Sequence, residues 1–100
     1  MRAQALLKGG QNRIDSRVRE SVFPTGLHRK AASLLDRLLN TATLQDCYNY
    51  PPGWRFKELH GKLRGTYQVR LDDKYRIRFR WDTMHGAVAI TVGEFHGDDG

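Results

Sequence analysis

Two stretches in the second half of the chain alternate strictly between apolar and polar residues. Tyr67, Val69 and Leu71 are interleaved with Gln68 and Arg70, and Tyr75, Ile77, Phe79 and Trp81 with Arg76, Arg78 and Arg80. A period of two belongs to strands with one buried and one open face, so both stretches predict an antiparallel sheet. The open face is mostly arginine. Between Gly53 and Trp81 there are nine Lys/Arg and three Asp/Glu, a local net of +6, whereas the rest of the chain has eight of each. The entire formal net charge of +6 therefore sits on this ribbon.

One hundred residues, 39% of them hydrophobic and 28% charged, suit one small folded domain over 1–100 with a modest core. That composition argues against a disordered chain, and no apolar run approaches the roughly 20 residues that span a bilayer. Met1 to Asp15 contains no signal-peptide core, and the single cysteine, Cys47, has no internal partner for a disulfide. A cytoplasmic protein is the expectation. The basic ribbon asks for a polyanionic partner: RNA, DNA, a ribosome, an acidic protein or a membrane surface. Charge alone does not choose among them.

Residues 1–22 are poorly defined by pattern, apart from a weak four-residue spacing of Ile14, Val18 and Val22 that suggests a short helix over Asp15 to Ser21. Leu27, Ala31, Leu34, Leu35, Leu38 and Leu39 then fall on one helical face, with Thr25 or Gly26 as N-cap and Asn40 as stop. Thr43 to Asp46 matches a capping box and predicts one more helical turn. Pro51-Pro52-Gly53 leads into a strand over Trp54 to Leu59, and His60 to Gly65 forms a basic loop with Gly61 and Gly65 in left-handed turns. Asp72 to Lys74 and Asp82 to Gly86 are hairpin loops, Ala87 to Val92 is a buried strand, and 97–100 is a frayed tail. The expected fold is α+β: a helix on one face of a roughly four-stranded antiparallel meander, with the basic face left open.

The run PPGWRFKELHGKLRGTYQVRLDDKYRIRFRW, with a short apolar strand and a terminal Glu94-Phe95-His96 after it, resembles the RelE/ParE superfamily of bacterial toxins, and within it the HigB or "killer protein" branch. The likeness covers roughly Phe23 to His96, and its most specific part is the strand Tyr75 to Trp81. Three departures accompany it. The lysine- and phenylalanine-rich opening strand of the family has no counterpart in Met1 to Val22. Lys57 stands where several members carry histidine, and His60 where they carry lysine. The closing triplet has glutamate and phenylalanine in place of aspartate and tyrosine.

The resemblance implies a RelE-like fold and a ribosome-dependent mRNA endonuclease that needs no metal or other cofactor. It also implies a helix-turn-helix, HigA-like antitoxin as partner, mRNA and ribosome as targets, contact with promoter DNA only through the antitoxin complex, and no membrane. Attack by the RNA's own 2′-hydroxyl requires a base, an acid for the departing 5′-oxygen and cations for the charge on phosphorus. By position in the family pattern, Arg76 holds the scissile phosphate and His96 is the acid or base. Glu94 would orient His96 or hold a nearby cation, Lys57 and His60 would contact phosphate, and Lys57 would replace the family's histidine as proton donor only with a lowered pKa. Strict alternation sets Glu94 and His96 on the side of core-facing Val88, Ile90 and Val92, so a bulge or strand end at Gly93 is expected to resolve the conflict. Lys62, Arg64, Arg70, Arg78 and Arg80 read as general RNA contacts, and Phe95 as a platform for a base. The histidines and Cys47 have no metal-ligand spacing. A ParE-like inhibitor of DNA gyrase that cuts nothing is the competing function, disfavoured by the terminal triplet, and an inactive member that binds only antitoxin or RNA is the third.

Overall fold

The computed structural model describes Arg17 and residues 24–95. The weak helix over Asp15 to Ser21 and the tail at 97–100 lie outside these, except for Arg17, which sits in a turn. Helix α1 spans His28–Leu39 and the single-turn helix α2 spans Leu44–Cys47. Four strands follow: β1 Lys57–Glu58, β2 Thr66–Arg70, β3 Tyr75–Asp82 and β4 Gly86–Glu94. They pair in the order β1-β2-β3-β4, each antiparallel to the next. The α+β meander expected from the sequence is the fold.

Ala31, Leu34, Leu35 and Leu38 are the buried stripe of α1. They join Val69, Leu71, Ile77, Phe79, Ala87, Ile90 and Val92 of the sheet in one core, with Leu27 and Leu39 packed at its margin. Each fully buried leucine contributes about 2 kcal/mol of transfer free energy. The N-cap differs from expectation. Thr25–Leu27 is a 3-10 turn, so Leu27 caps α1 and no side chain bonds there. Asn40 ends the helix as expected, its Nδ2 donating to the Asp36 carbonyl at 2.7 Å. The capping box of α2 forms in full: Thr43 Oγ1 accepts from Asp46 N, and the Asp46 carboxylate accepts from Thr43 N. Cys47 is wholly buried, and that burial pushes its thiol pKa up. Tyr50 is buried beside it and shares a 2.5 Å hydroxyl hydrogen bond with Thr41.

Two features of the strands depart from the sequence reading. The first strand is far shorter than Trp54 to Leu59. Pro52–Trp54 forms a 3-10 turn and Arg55 takes a left-handed conformation (φ 49°, ψ 47°), so pairing begins only at Lys57. The two prolines impose this, because neither can donate to a ladder and both fix φ.

The second departure is the position of the bulge. Pairing runs unbroken through Gly93, with Tyr75 opposite Glu94, Arg76 opposite Gly93 and Ile77 opposite Val92. The irregularity lies further back. Arg78 opposes Thr91 while Arg80 opposes Val88, so Ala89 and Ile90 together face Phe79. Ala89 is the hinge, at φ 52°. Ala87 rather than Val88 enters the core as a result. At the outer edge of β4, the Arg17 carbonyl accepts a hydrogen bond from Ile90 N (2.9 Å), and Arg17 Nη1 donates to the His85 carbonyl (2.9 Å).

Candidate functional site

Register places the cations in two rows across the sheet, on the face away from α1. One row runs Arg70, Arg76, Gly93; the other runs Lys57, Gln68, Arg78, Thr91. Arg80 follows on the same side, opposite Thr66. The alternation read in the sequence thus gathers the arginines on a single face.

A cleft of about 420 Å³ opens on this face, lined by Arg55, Phe56, Lys57, Gln68, Arg70 and Arg76. Four of those six are cationic and none is acidic. Its size is in the range that encloses small ligands. Gln68, only 3% exposed, forms its middle, and Gln68 Oε1 accepts a hydrogen bond from Arg78 Nε at 2.9 Å. Arg76 donates through Nη1 to the carbonyls of Asp72 and Tyr75, and Arg70 forms an ion pair with Asp73. Asp72 caps the hairpin by accepting from the amides of Lys74 and Tyr75. The β2–β3 turn therefore fixes both arginines at the rim.

Phe56 ties the cleft to the core. Its ring stacks on Tyr67 (5.8 Å between centroids, 5° between planes) and packs on Phe79 (6.2 Å). Tyr48, more than half exposed, meets Phe56 edge-on at 4.9 Å. Nearby, Arg37 lies over the rings of Tyr50 (5.4 Å) and Trp54 (5.7 Å), holding α1 against the proline turn.

Phe95 follows the last paired residue and turns back over Gly93. A Cβ on Gly93 would come within 3.1 Å of the Phe95 ring, so a larger residue there would press the ring aside by a few tenths of an ångström. The Arg78 guanidinium sits 4.1 Å from the same ring centroid. Phe95 is thus on the arginine face, with one side of its ring in contact with a cation.

The other sequence-predicted residues scatter more. Lys57 lies in the cleft with Arg70 and Arg76. Arg78 is half-buried and engaged by Gln68 and Phe95, so it braces the face rather than offering an open fork. Arg80 is exposed and reaches toward Gly65, away from the cleft. His60, Lys62 and Arg64 occupy the exposed loop around the 3-10 turn Gly61–Leu63 and do not line the cleft. Gly61 (φ 64°) and Gly65 (φ 89°) take the left-handed geometry expected of that loop.

Glu94 needs a correction. With no bulge at Gly93 its backbone stays opposite Tyr75, on the helix side of the sheet and exposed at the strand end. His96 lies outside the described residues. Sequence reasoning missed Arg55 and Gln68 as parts of the cleft. A signal for Arg55 existed, since it stands two residues before Lys57.

Among the described residues, no three of His, Cys, Asp and Glu gather as metal ligands, and no helix is long and apolar enough to cross a membrane. No family model matches the chain. It is, however, similar to the curated protein Toxin HigB-1 of Vibrio cholerae serotype O1, with 30% identity over 63 residues. The match supports a HigB-type toxin. It takes in 63% of this chain and spans 65% of the HigB relative, less than two thirds of that protein's length. The helix packed on a four-stranded antiparallel sheet is consistent with a HigB-type, RelE-like fold.

Proposed function

We propose that the chain is the toxin of a toxin–antitoxin pair and that it cleaves mRNA on the ribosome, arresting translation and growth. The observation that carries this is the cleft in which Arg55, Lys57, Arg70 and Arg76 converge around Gln68, with no carboxylate among its described lining residues. A ribonucleotide backbone is the polyanion that such a cleft suits, and the likeness to Toxin HigB-1 points the same way.

In this reading the 2′-hydroxyl next to the scissile phosphate attacks phosphorus, and the bond to the 5′-oxygen breaks to leave a 2′,3′-cyclic phosphate. Arg76 bonds the non-bridging oxygens, where charge grows as the pentacoordinate state forms. Its fork is oriented beforehand by the carbonyls of Asp72 and Tyr75, so little reorganisation is needed when substrate arrives. Lys57, across the cleft, donates a hydrogen bond to the same phosphate. His96 is the proposed acid or base, a role that rests on its place one residue after Phe95. His60 contributes at most a peripheral phosphate contact from its loop. Lys62, Arg64 and Arg80 form an outer basic surface for ribosomal RNA, and Arg70 adds charge at the cleft rim. The proposed restraint on the toxin is a helix-turn-helix antitoxin, and promoter DNA is reached only through that partner.

Expression of wild type, Arg76→Ala and His96→Ala in cells, with mapping of mRNA 5′ ends, tests the proposal. Cleavage within translated codons by wild type and its loss in both variants is the expected result. Equal cutting by all three refutes the site. DNA damage signalling without mRNA cleavage would favour gyrase inhibition, and normal growth would favour an inactive binder.

A further inference from the structure

Arg55 is the least expected member of the cleft. It holds a left-handed backbone (φ 49°, ψ 47°) at the end of the Pro52–Trp54 turn, a position where glycine or asparagine is the unstrained choice. Its backbone N–H donates to the Pro52 carbonyl at 3.1 Å, a bond that any residue but proline would make. Its side chain is exposed and forms no hydrogen bond or ion pair with the described residues. Nothing among the described residues thus asks for arginine here, yet the guanidinium lines the same cleft as Lys57, Arg70 and Arg76.

Charge distribution within the cleft says what Arg55 faces. Arg70 is compensated by Asp73, and Arg76 is oriented by the Asp72 carbonyl on the β2–β3 side. Arg55 and Lys57 stand on the opposite wall, contributed by the proline turn and β1. Arg55 and Arg76 thus reach the cleft from its two walls, spaced to meet different linkages of one backbone.

Building on the RNA reading above, we propose that Arg55 is a second phosphate-binding residue. It holds the linkage next to the one at Arg76, so that the cleft grips two consecutive phosphates and sets which internucleotide bond is presented for cleavage. Arg55 is then a specificity-determining contact, whose strained backbone is retained because it aims the guanidinium across the cleft.

The test uses the full chain and a single-stranded RNA with every 2′-hydroxyl methylated, which binds without being cut. Binding is measured free and as the message in programmed ribosomes, across a salt series. Arg55→Gln is expected to weaken binding roughly tenfold or more and to lower the salt slope by about 0.7, the loss of one phosphate contact. A neutral methylphosphonate placed at each linkage in turn should weaken the wild type at two adjacent positions. Arg55→Gln should become insensitive to one of them and Arg76→Gln to the other. Arg55→Gly guards against a purely structural effect: it should melt at the same temperature as wild type or higher, while binding as weakly as the glutamine variant.

Wild-type binding and slope in Arg55→Gln, with the loss confined to Arg76→Gln, would overturn the inference and leave the RNA reading standing. A lower melting temperature in Arg55→Gly with unaltered binding would overturn it too. Absence of salt-dependent RNA binding by the wild type in both settings would overturn the RNA reading itself, and this inference with it.

Discussion

Arg70 and Arg76 lie directly opposite each other across β2 and β3, two guanidinium groups in one cross-strand pair. Like charges so placed destabilise a sheet. The pair is tolerated because Asp73 engages Arg70 and the Asp72 carbonyl accepts from Arg76. Asp73 offsets the charge of Arg70, and the carbonyl orients the Arg76 guanidinium.

Arg76→Ala should therefore separate function from folding. Half-buried and facing another cation, the side chain adds little to stability, so unfolding in urea should shift by no more than about 1 kcal/mol. Cleavage of mRNA by the purified chain on programmed ribosomes should fall by at least about 100-fold, as for loss of a group that stabilises transition-state charge. A large stability loss with retained cutting would contradict both halves.

Leu35→Ala tests the packing of α1 on the sheet. Leu35 is fully buried and central to the core. Truncation should cost about 2–5 kcal/mol, read as a lower denaturation midpoint with an unchanged slope.

Gly93→Ala probes the ring at the end of β4. The new methyl meets Phe95 at 3.1–3.2 Å, so the ring must give by a few tenths of an ångström, which loosens its contact with Arg78. Because the backbone at this position is ordinary, β4 should persist and stability should change by about 1 kcal/mol or less. On the proposed nuclease reading, with Phe95 a platform for a base, cleavage should drop roughly tenfold, the scale of one base–aromatic stacking contact. Ring-proton shifts of Phe95 would report the displacement.

Ala89→Gly should leave stability unchanged or raise it by up to about 1 kcal/mol, since φ of 52° is strained for alanine. Ala89→Val should instead cost about 1–3 kcal/mol, because a β-branched residue tolerates that region poorly. Thermal unfolding of the two variants beside wild type distinguishes a true bulge from ordinary strand geometry.

The β3–β4 hairpin should weaken in acid through Asp82. Its carboxylate accepts from the His85 ring at 2.8 Å and from the amides of His85 and Met84, which holds its pKa below the usual carboxylate value. A depressed carboxylate stabilises the fold fully above its unfolded pKa, about 3.9, and that contribution disappears as pH falls through the lower folded value. Asp82→Asn should thus be less stable than wild type near neutral pH. The two should converge well below pH 4 when unfolding is followed across a pH series.

What the sequence made legible was whatever period carries. Six residues at helical spacing located α1, and strict alternation at Tyr67–Leu71 and Tyr75–Trp81 located β2, β3 and the arginine face. Residues with weak contrast hid the rest. Ala87 to Val92 is apolar or small at nearly every position, so no alternation marks the bulge at Ala89, and Gly93 drew the expectation instead. Trp54 to Leu59 reads as a strand by composition, but the preceding prolines and the turn at Arg55 consume its first half. That turn also brings Arg55 into the cleft, where only its spacing of two residues from Lys57 hinted at it.

The irregularity at Ala89 decides which side of the molecule receives the last residues of β4. Threaded from the hairpin without that one insertion, Thr91, Gly93 and Phe95 would point at the leucines of α1, and Ile90 and Val92 would lie among the arginines. A deletion of a single amino acid here would exchange oil for charge along the whole end of the strand.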